Sequence, residues 1–379
     1  MSASPIRTRL CEVMGIQHPI FAFSHSVDVV VEVCLAGGVG VYGATRRFPE
    51  EIERSLAEIR RRVGGRPFGV DLVLPKGMPE RNNREEIESA IPEEHRAFID
   101  HLFDKYGVPR DGQSGPRSRF VRSNEMARRQ ADVVLASEAD IFAMGIGSPP
   151  EFIAAARDGG KKVLALVGSP KHARRALDAG ADILVAQGHD SGAHTGPIGT
   201  FSLLPQVTRM AGSVPVLAAG GVATGSHIVA ALAMGAVGVW VGTAWLVTRE
   251  AHTSPKLLPK LLSATSEDTV ITRAKSGKPN RQLRTAYTEE WEAPEAPRPL
   301  SMPYQDILVG DLLGAIDRYE VEPLLGSGLG QGIAWFQTET TVAAVMESLV
   351  REAAESMAVL DEIRRAGSLS AVEEGQGEA

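Results

Sequence analysis

With 379 residues, the chain can bury a large core, either as two or three modest domains or as one α/β barrel with additions. Forty Lys and Arg against 47 Asp and Glu give a formal net charge of -7, so no overall basic field exists to hold a nucleic-acid backbone or an anionic membrane surface. The two cysteines, Cys11 and Cys34, lie close to the start, Cys34 within VVVEVCLAGG; buried thiols in a reducing cytoplasm fit them better than a disulfide or metal framework.

The opening MSASPIRTRLCEVMG has no sustained apolar run, and no signal peptide is expected. Eight short runs rich in β-branched residues then follow: PIFAF from Pro19, GVGVYG from Gly38, FGVDLVL from Phe68, IFAMG from Ile141, KVLALVG from Lys162, ILVAQG from Ile183, PVLAAGG from Pro215 and VGVWVG from Val237. Amphipathic stretches separate most of them: PEEIERSLAEIRRRV with a proline start, SPPEFIAAARDGG with a glycine end, SPKHARRALDAG and TGSHIVAALAMG. Residues 210–248 contain no Asp, Glu, Lys or Arg, but Pro215 and repeated glycines cut them into strand and helix lengths, so a buried strand, helix, strand unit is expected there and no membrane span.

Strands buried on both faces and alternating with helices predict a parallel sheet, and eight such units fit a closed (β/α)8 TIM barrel better than an open doubly wound sheet. The barrel is assigned to residues 1–75 and 131–250. Residues 76–130, charged and irregular, read as an insertion after the third strand, standing over the barrel mouth and holding one helix. Residues 251–365, with the proline-rich EAPEAPRPLSMP and a final amphipathic helix, form a mainly helical C-terminal extension that acts as a lid, and 366–379 read as a disordered tail.

The polar break VAQGHDSGAHTG after the sixth strand carries the first candidate chemistry. Gln187, at the strand end, can hydrogen-bond the edge of a heterocycle. His194 follows among Gly192, Ala193 and Gly196, which are too small to cover it, and an imidazole there can serve as general base or as a donor to a developing anion. The seventh and eighth strands end in AAGG, with Gly220 and Gly221, and in VGT, with Gly242 and Thr243; their exposed amides and the threonine hydroxyl suit a phosphate group. His189, Asp190 and His194 match no metal-ligand spacing, and no metal is expected. GSGLGQG, Gly326–Gly332, imitates a nucleotide-binding loop but follows no suitable strand and reads as an ordinary loop.

The ordered set RTRLCEVMGIQHPIF, LAGGVGVYGA, RPFGVDLVLP, VAQGHDSGAHTG, PVLAAGGVATGSHIVAALAMGAVGVWVGTAWL and TVITRAKSGKPNRQLR resembles the flavin-dependent nitronate monooxygenases, formerly 2-nitropropane dioxygenases, and their relatives the flavin enoyl-acyl-carrier-protein reductases. The resemblance implies FMN at the barrel mouth, with its phosphate near Gly220, Gly221, Gly242 and Thr243, Gln187 toward the flavin, and Gly192 and Asp71 within the cofactor site. It places His194 beside flavin and substrate, where it binds a nitronate anion or removes the α-proton of a neutral nitroalkane. The implied reaction is oxidation of an alkyl nitronate to a carbonyl compound and nitrite with O2. The alternatives are NAD(P)H-dependent chemistry on an enoyl or related acyl thioester, and a flavin or phosphometabolite binder without catalysis.

Three departures from the family pattern stand out: AFSHS (Ala22–Ser26) where an Ala-Pro-Met-like segment is usual, Asp71 in GVDL where Asn is frequent, and HDSGAH where Glu-Ala-Gly-Gly-His is common. Partners are then a small-molecule substrate and O2, without nucleic acid or membrane, and a homo-oligomer is compatible with the sequence.

Overall fold

The structure, a computed structural model, describes residues 4–375, except for the side chains of 367–375. Each of the eight apolar runs forms a strand: β1 (Ile20–Ser24), β2 (Val39–Gly43), β3 (Gly69–Val73), β4 (Ile141–Gly145), β5 (Lys162–Val167), β6 (Ile183–Gln187), then, after a two-residue strand β7 (Ala193–His194), β8 (Val216–Ala219) and β9 (Gly238–Val241). All but β7 pair in parallel in the order β1-β2-β3-β4-β5-β6-β8-β9, and β9 closes on β1 with Phe21 opposite Trp240. The result is the closed (β/α)8 barrel.

The N-terminal end of the barrel is plugged by α1 (Arg9–Met14), whose Leu10 and Cys11, with Ile16, join a core cluster containing inward-facing Phe21, Leu164 and Leu217. Seven helices then follow their strands in turn: α2 (Val27–Leu35) and α3 (Pro49–Val63) early, α6 (Asn124–Ala136) after the insertion, then α7 (Pro150–Asp158), α8 (Pro170–Asp178), α9 (Thr200–Ala211) and α10 (Gly225–Ala233). In α3, Pro49 sits in the first turn, and Ile52, Leu56, Ile59 and Val63 recur at three- and four-residue spacing, all buried. Cys11 and Cys34 are free and buried, and burial pushes the Cys34 thiol up to about 11.

After β9 the expected helix is missing. A short 3-10 turn, Thr243–Val247, replaces it, and the vacated position is filled by α14 (Val342–Gly375). Val345, Met346, Leu349 and Ala353 of α14 join the core cluster that holds Val29 and Val33 of α2 and Ile228 of α10. Glu352 Oε2 accepts a hydrogen bond of 3.0 Å from the Gly225 amide at the start of α10. The backbone of α14 runs as helix to Gly375, into the stretch from residue 366 expected as a disordered tail, since each residue added to an existing helix gains a hydrogen bond without a new nucleation cost. Residues 376–379 lie outside the description.

The insertion holds two helices rather than one, α4 (Arg84–Ser89) and α5 (Glu93–Lys105), because Ile91-Pro92 breaks the pattern between them. They pack on the C-terminal segment: Ile99 and Leu102 of α5 share a cluster with Tyr287 and Trp291 of α12 (Ala286–Glu292) and Leu312 and Ile316 of α13 (Tyr304–Tyr319). The C-terminal segment is not helical throughout. It contributes α11 (Leu258–Ser263) and also β10 (Thr269–Thr272) and β11 (Asn280–Leu283), and β11 pairs antiparallel with β7, Asn280 opposite His194. Among the described residues no helix is long and apolar enough to cross a membrane.

Candidate active site

The C-terminal ends of the barrel strands open into a cavity of about 1250 Å3. That exceeds the usual volume of a pocket for one drug-sized ligand, roughly 300–1000 Å3, and leaves room for a cofactor beside a substrate. Its wall includes Asp71, Gln187, Gly192, His194, Gly220, Gly221, Gly242 and Thr243, so every site residue expected from the sequence faces one space.

His194 is not on a free loop: it sits on β7, edge strand of the β10-β11-β7 sheet, so the C-terminal segment fixes its backbone. Its Nε2 lies 2.8 Å from Ser276 Oγ. The preceding Ala193 is held at φ 57 and cavity-lining Ile146 at φ 59, left-handed conformations costly for residues with a β-carbon, above all for branched isoleucine. Desolvation, with Arg117, Arg122 and Arg46 adding repulsion, drives the imidazole down to about 3, so it is neutral at physiological pH.

Gln187 is oriented by its surroundings. Its Nε2 donates to the His194 carbonyl at 2.8 Å and to Ser191 Oγ at 3.0 Å. Since a carbonyl can only accept, the amide nitrogen is fixed there and Oε1 is left to accept from a ligand. Gly192 acts through closeness of approach: a β-carbon would stand 2.6 Å from the Leu329 carbonyl carbon. The glycine-rich loop of Gly326–Gly332 therefore belongs to the site. Gly330 N–H donates to Thr243 Oγ1 at 2.9 Å, Gln331 N–H donates to the Asp190 carbonyl at 3.0 Å, and Ser327 and Gly328 line the cavity.

The two strand ends expected to meet a phosphate turn sharply and leave amides without acceptors. Gly220 at φ 94 and Gly221 at φ 73 turn the chain as only glycine does cheaply, and among the described residues the amides of Gly221, Gly242 and Thr243 donate to no backbone or side-chain acceptor. Thr243 Oγ1 accepts from Gly330, which leaves its own proton free to donate. His189 and Asp190 are structural: His189 Nδ1 pairs with the Gly196 carbonyl at 2.7 Å, and Asp190 Oδ2 accepts from the Thr200 amide at the start of α9 at 2.8 Å. Among the described residues no group of three or more His, Cys, Asp or Glu is placed to hold a metal ion.

The structure adds a cluster of charges beside His194 that no motif announced. Asp306 of α13, 1% exposed, accepts from Arg46 at 2.9 Å and Arg117 at 3.0 Å, with Arg122 at 4.0 Å. Burial alone would raise the Asp306 carboxyl, but the three guanidinium groups outweigh it and hold it below the usual carboxylate range. Burial brings Arg46 down to about 9 and Lys275, another cavity residue, down to about 8. Arg117 also donates to the Lys275 carbonyl at 3.2 Å, which ties the cluster to Ser276 and hence to His194. Three arginines face Asp306, while Lys275 on the cavity wall feels the carboxyl of Asp317, which leaves an excess of positive charge suited to an anion.

A (β/α)8 barrel with a large cavity at its C-terminal mouth, a half-buried imidazole and strand-end amides of the seventh and eighth barrel strands turned to it defines a class, the barrel oxidoreductases, once its relatives are considered. The family model for nitronate monooxygenase matches residues 7–352. A Mycobacterium tuberculosis protein named as a candidate monooxygenase is 43% identical over 314 residues, 81% of this chain and 84% of its own. From the same organism, (3aS,4S,5R,7aS)-5-hydroxy-7a-methyl-1-oxo-octahydro-1H-indene-4-carboxyl-CoA dehydrogenase is 29% identical over 294 residues, 76% of this chain and 69% of that one. The crystal structure of nitroalkane oxidase from Streptomyces ansochromogenes superposes with a TM-score of 0.79 at 27% identity, covering 93% of this chain and 100% of that one. The chain belongs to the nitronate monooxygenase family and is an oxidoreductase.

Proposed function

We propose that the protein is an FMN-dependent enzyme that oxidises alkyl nitronates with O2 to a carbonyl compound and nitrite. The observation that carries this reading is the electrostatics of the cavity: a neutral imidazole shares its wall with Arg117 and Lys275, with Arg46 and Arg122 behind them, an arrangement that welcomes a compact organic anion. FMN, when bound, supplies the electron transfer that no side chain here can perform.

The residues present fit that cofactor. The unused amides at Gly221, Gly242 and Thr243, with the Thr243 hydroxyl, would hold its phosphate, and Gln187 Oε1 would accept from an N–H of the ring. Arg117 and Lys275 neutralise the nitronate oxygens, and neutral His194, steadied by Ser276, hydrogen-bonds the substrate and fixes its orientation.

The test is spectroscopic. The purified protein is expected to show the absorption of oxidised flavin, and under anaerobic conditions propyl nitronate is expected to bleach it while NADH does not. A colourless protein that takes up no FMN removes the reading. Bleaching by NADH alone favours the second reading, reduction or dehydrogenation of an acyl thioester, which the size of the cavity accommodates and to which the carboxyl-CoA dehydrogenase relative points.

A further inference from the structure

Asp71 lies on β3, opposite Gly43 of β2 and Ala143 of β4, and its side chain borders the cavity. It is 4% exposed, its Oδ2 is sealed from solvent without a partner, and among the described residues neither carboxyl oxygen takes a hydrogen bond from the protein. Buried carboxyl groups without donors are rare because the lost hydration goes uncompensated. A carboxyl so placed on a ligand cavity finds its partner in the ligand.

We propose that Asp71 is the general base that takes the α-proton from a neutral nitroalkane in this cavity, leaving His194 to hold the anion that forms. The proposal rests on the reading that alkyl nitronates are what this site oxidises. In the step, a carboxylate oxygen of Asp71 bonds the α-hydrogen, the C–H electron pair becomes the C=N double bond, and the negative charge moves onto the nitro oxygens. The products are a nitronate and the neutral acid of Asp71, with no change of oxidation state.

The same enclosure acts in opposite directions on the two candidate bases. Burial pushes the Asp71 carboxyl up to about 7, with only Arg122 opposing, whereas burial and three arginines drive His194 down to about 3. At neutral pH both have basic form available, but the carboxylate holds a proton far more tightly. The charged and titratable groups gathered around the pair are Arg46 after β2, Arg117 in the insertion, Arg122 before α6, Asp306 on α13, Lys275 between β10 and β11, and His25 after β1. Burial lowers His25, whose Nδ1 lies 2.8 Å from the Gly43 carbonyl, so it adds no positive charge at neutral pH. The fixed cations stabilise the product anion once the proton has left.

The test is exchange of the α-hydrogens of nitroethane in D2O, followed by proton NMR with anaerobic holoenzyme. Wild-type exchange is expected to rise tenfold per pH unit from pH 5 and level off above about 7. D71N is expected to cut the rate at least a hundredfold, and at least tenfold more than H194Q does, with flavin absorbance and thermal midpoint confirming a loaded fold. A D71N rate within threefold of wild type, or a larger loss in H194Q, overturns the proposal. Should D71N fail to load flavin, the wild-type profile decides alone, since a flat rate from pH 5 to 9 is the signature of a base with the low affinity of His194. Exchange needs no electron transfer. Exchange without bleaching by nitronate therefore removes the functional reading, and bleaching without exchange removes only the role of Asp71.

Discussion

At the N-terminal end of the barrel, α1 lays Leu10 and Cys11 against Phe21, Leu164 and Leu217, and the threonine that precedes it, Thr8, donates to the Val237 carbonyl at 2.7 Å. At the C-terminal end, a few strand residues away, Arg46 Nη1, Asp71 Oδ2 and Asp306 Oδ2 are buried without a hydrogen-bond partner, and Ile146 and Ala193 are held in left-handed conformations. One end gains stability from burial of apolar surface; the other buries charged groups, with Asp71 bordering the cavity without a hydrogen-bond partner. The two ends of one sheet can differ so sharply because side-chain direction is set by strand register, while mouth chemistry comes from segments far apart in sequence.

Mutations at the two ends are therefore expected to separate stability from activity. The largest effect belongs to the plug: Phe21→Ala, at a fully buried position, is expected to cost about 3–5 kcal/mol in denaturant unfolding. At the mouth, His194→Ala removes a donor to the anion and is expected to lower nitronate turnover about a hundredfold or more while the unfolding midpoint barely moves. If turnover survives within a factor of a few, the imidazole has no chemical part and the comparison fails. Thr243→Val is expected to weaken FMN binding roughly tenfold, about 1.4 kcal/mol, measurable by quenching of flavin fluorescence.

A further effect is a slope with pH. With the folded Asp71 carboxyl up to about 7, the folded state holds its proton where the unfolded chain, near 3.9, has released it. Its contribution to stability is therefore fully present below the unfolded value and is lost as pH rises toward 7. His194, lowered to about 3, acts the other way, contributing stability above about 6.5 that is lost as pH falls through the acid range. Asp71→Asn removes only the first term, so wild type is expected to gain on the variant as pH falls from 7 to 4. A constant difference across that range would place Asp71 in contact with water.

Much of the barrel was legible because each strand is an apolar run closed by Gly or Pro, and β3, with Asp71 inside it, is as recognisable as β5. Gln187 and His194 were legible because polar residues and glycines break abruptly from such a run. β7 was not, since two residues carry no periodicity and its partner Asn280 arrives from the C-terminal segment. The Arg46, Arg117, Arg122 and Asp306 cluster was equally hidden: each charge alone reads as a solvated surface group, and only the packing of the insertion on α13 brings them together. Lys275 and Ser276 lie within TVITRAKSGKPNRQLR, yet nothing in TRAKSGKP says that a serine meets an imidazole 82 positions earlier. The acyl-thioester reading and the nitronate reading share all these residues, so anaerobic flavin chemistry and not further inspection of the wall separates them.

The position of α14 bears on how the molecule assembles during synthesis. The helix that completes the sheath around β1 and β9 begins about a hundred residues after β9 leaves the ribosome, roughly 5–20 s later at ordinary elongation rates. Throughout that interval Val29, Val33 and Ile228 lack the cover that α14 gives them, and the nascent barrel presents an apolar seam along its closing edge. A chaperone shielding that seam, or premature pairing between two unfinished chains, would act there until α14 docks.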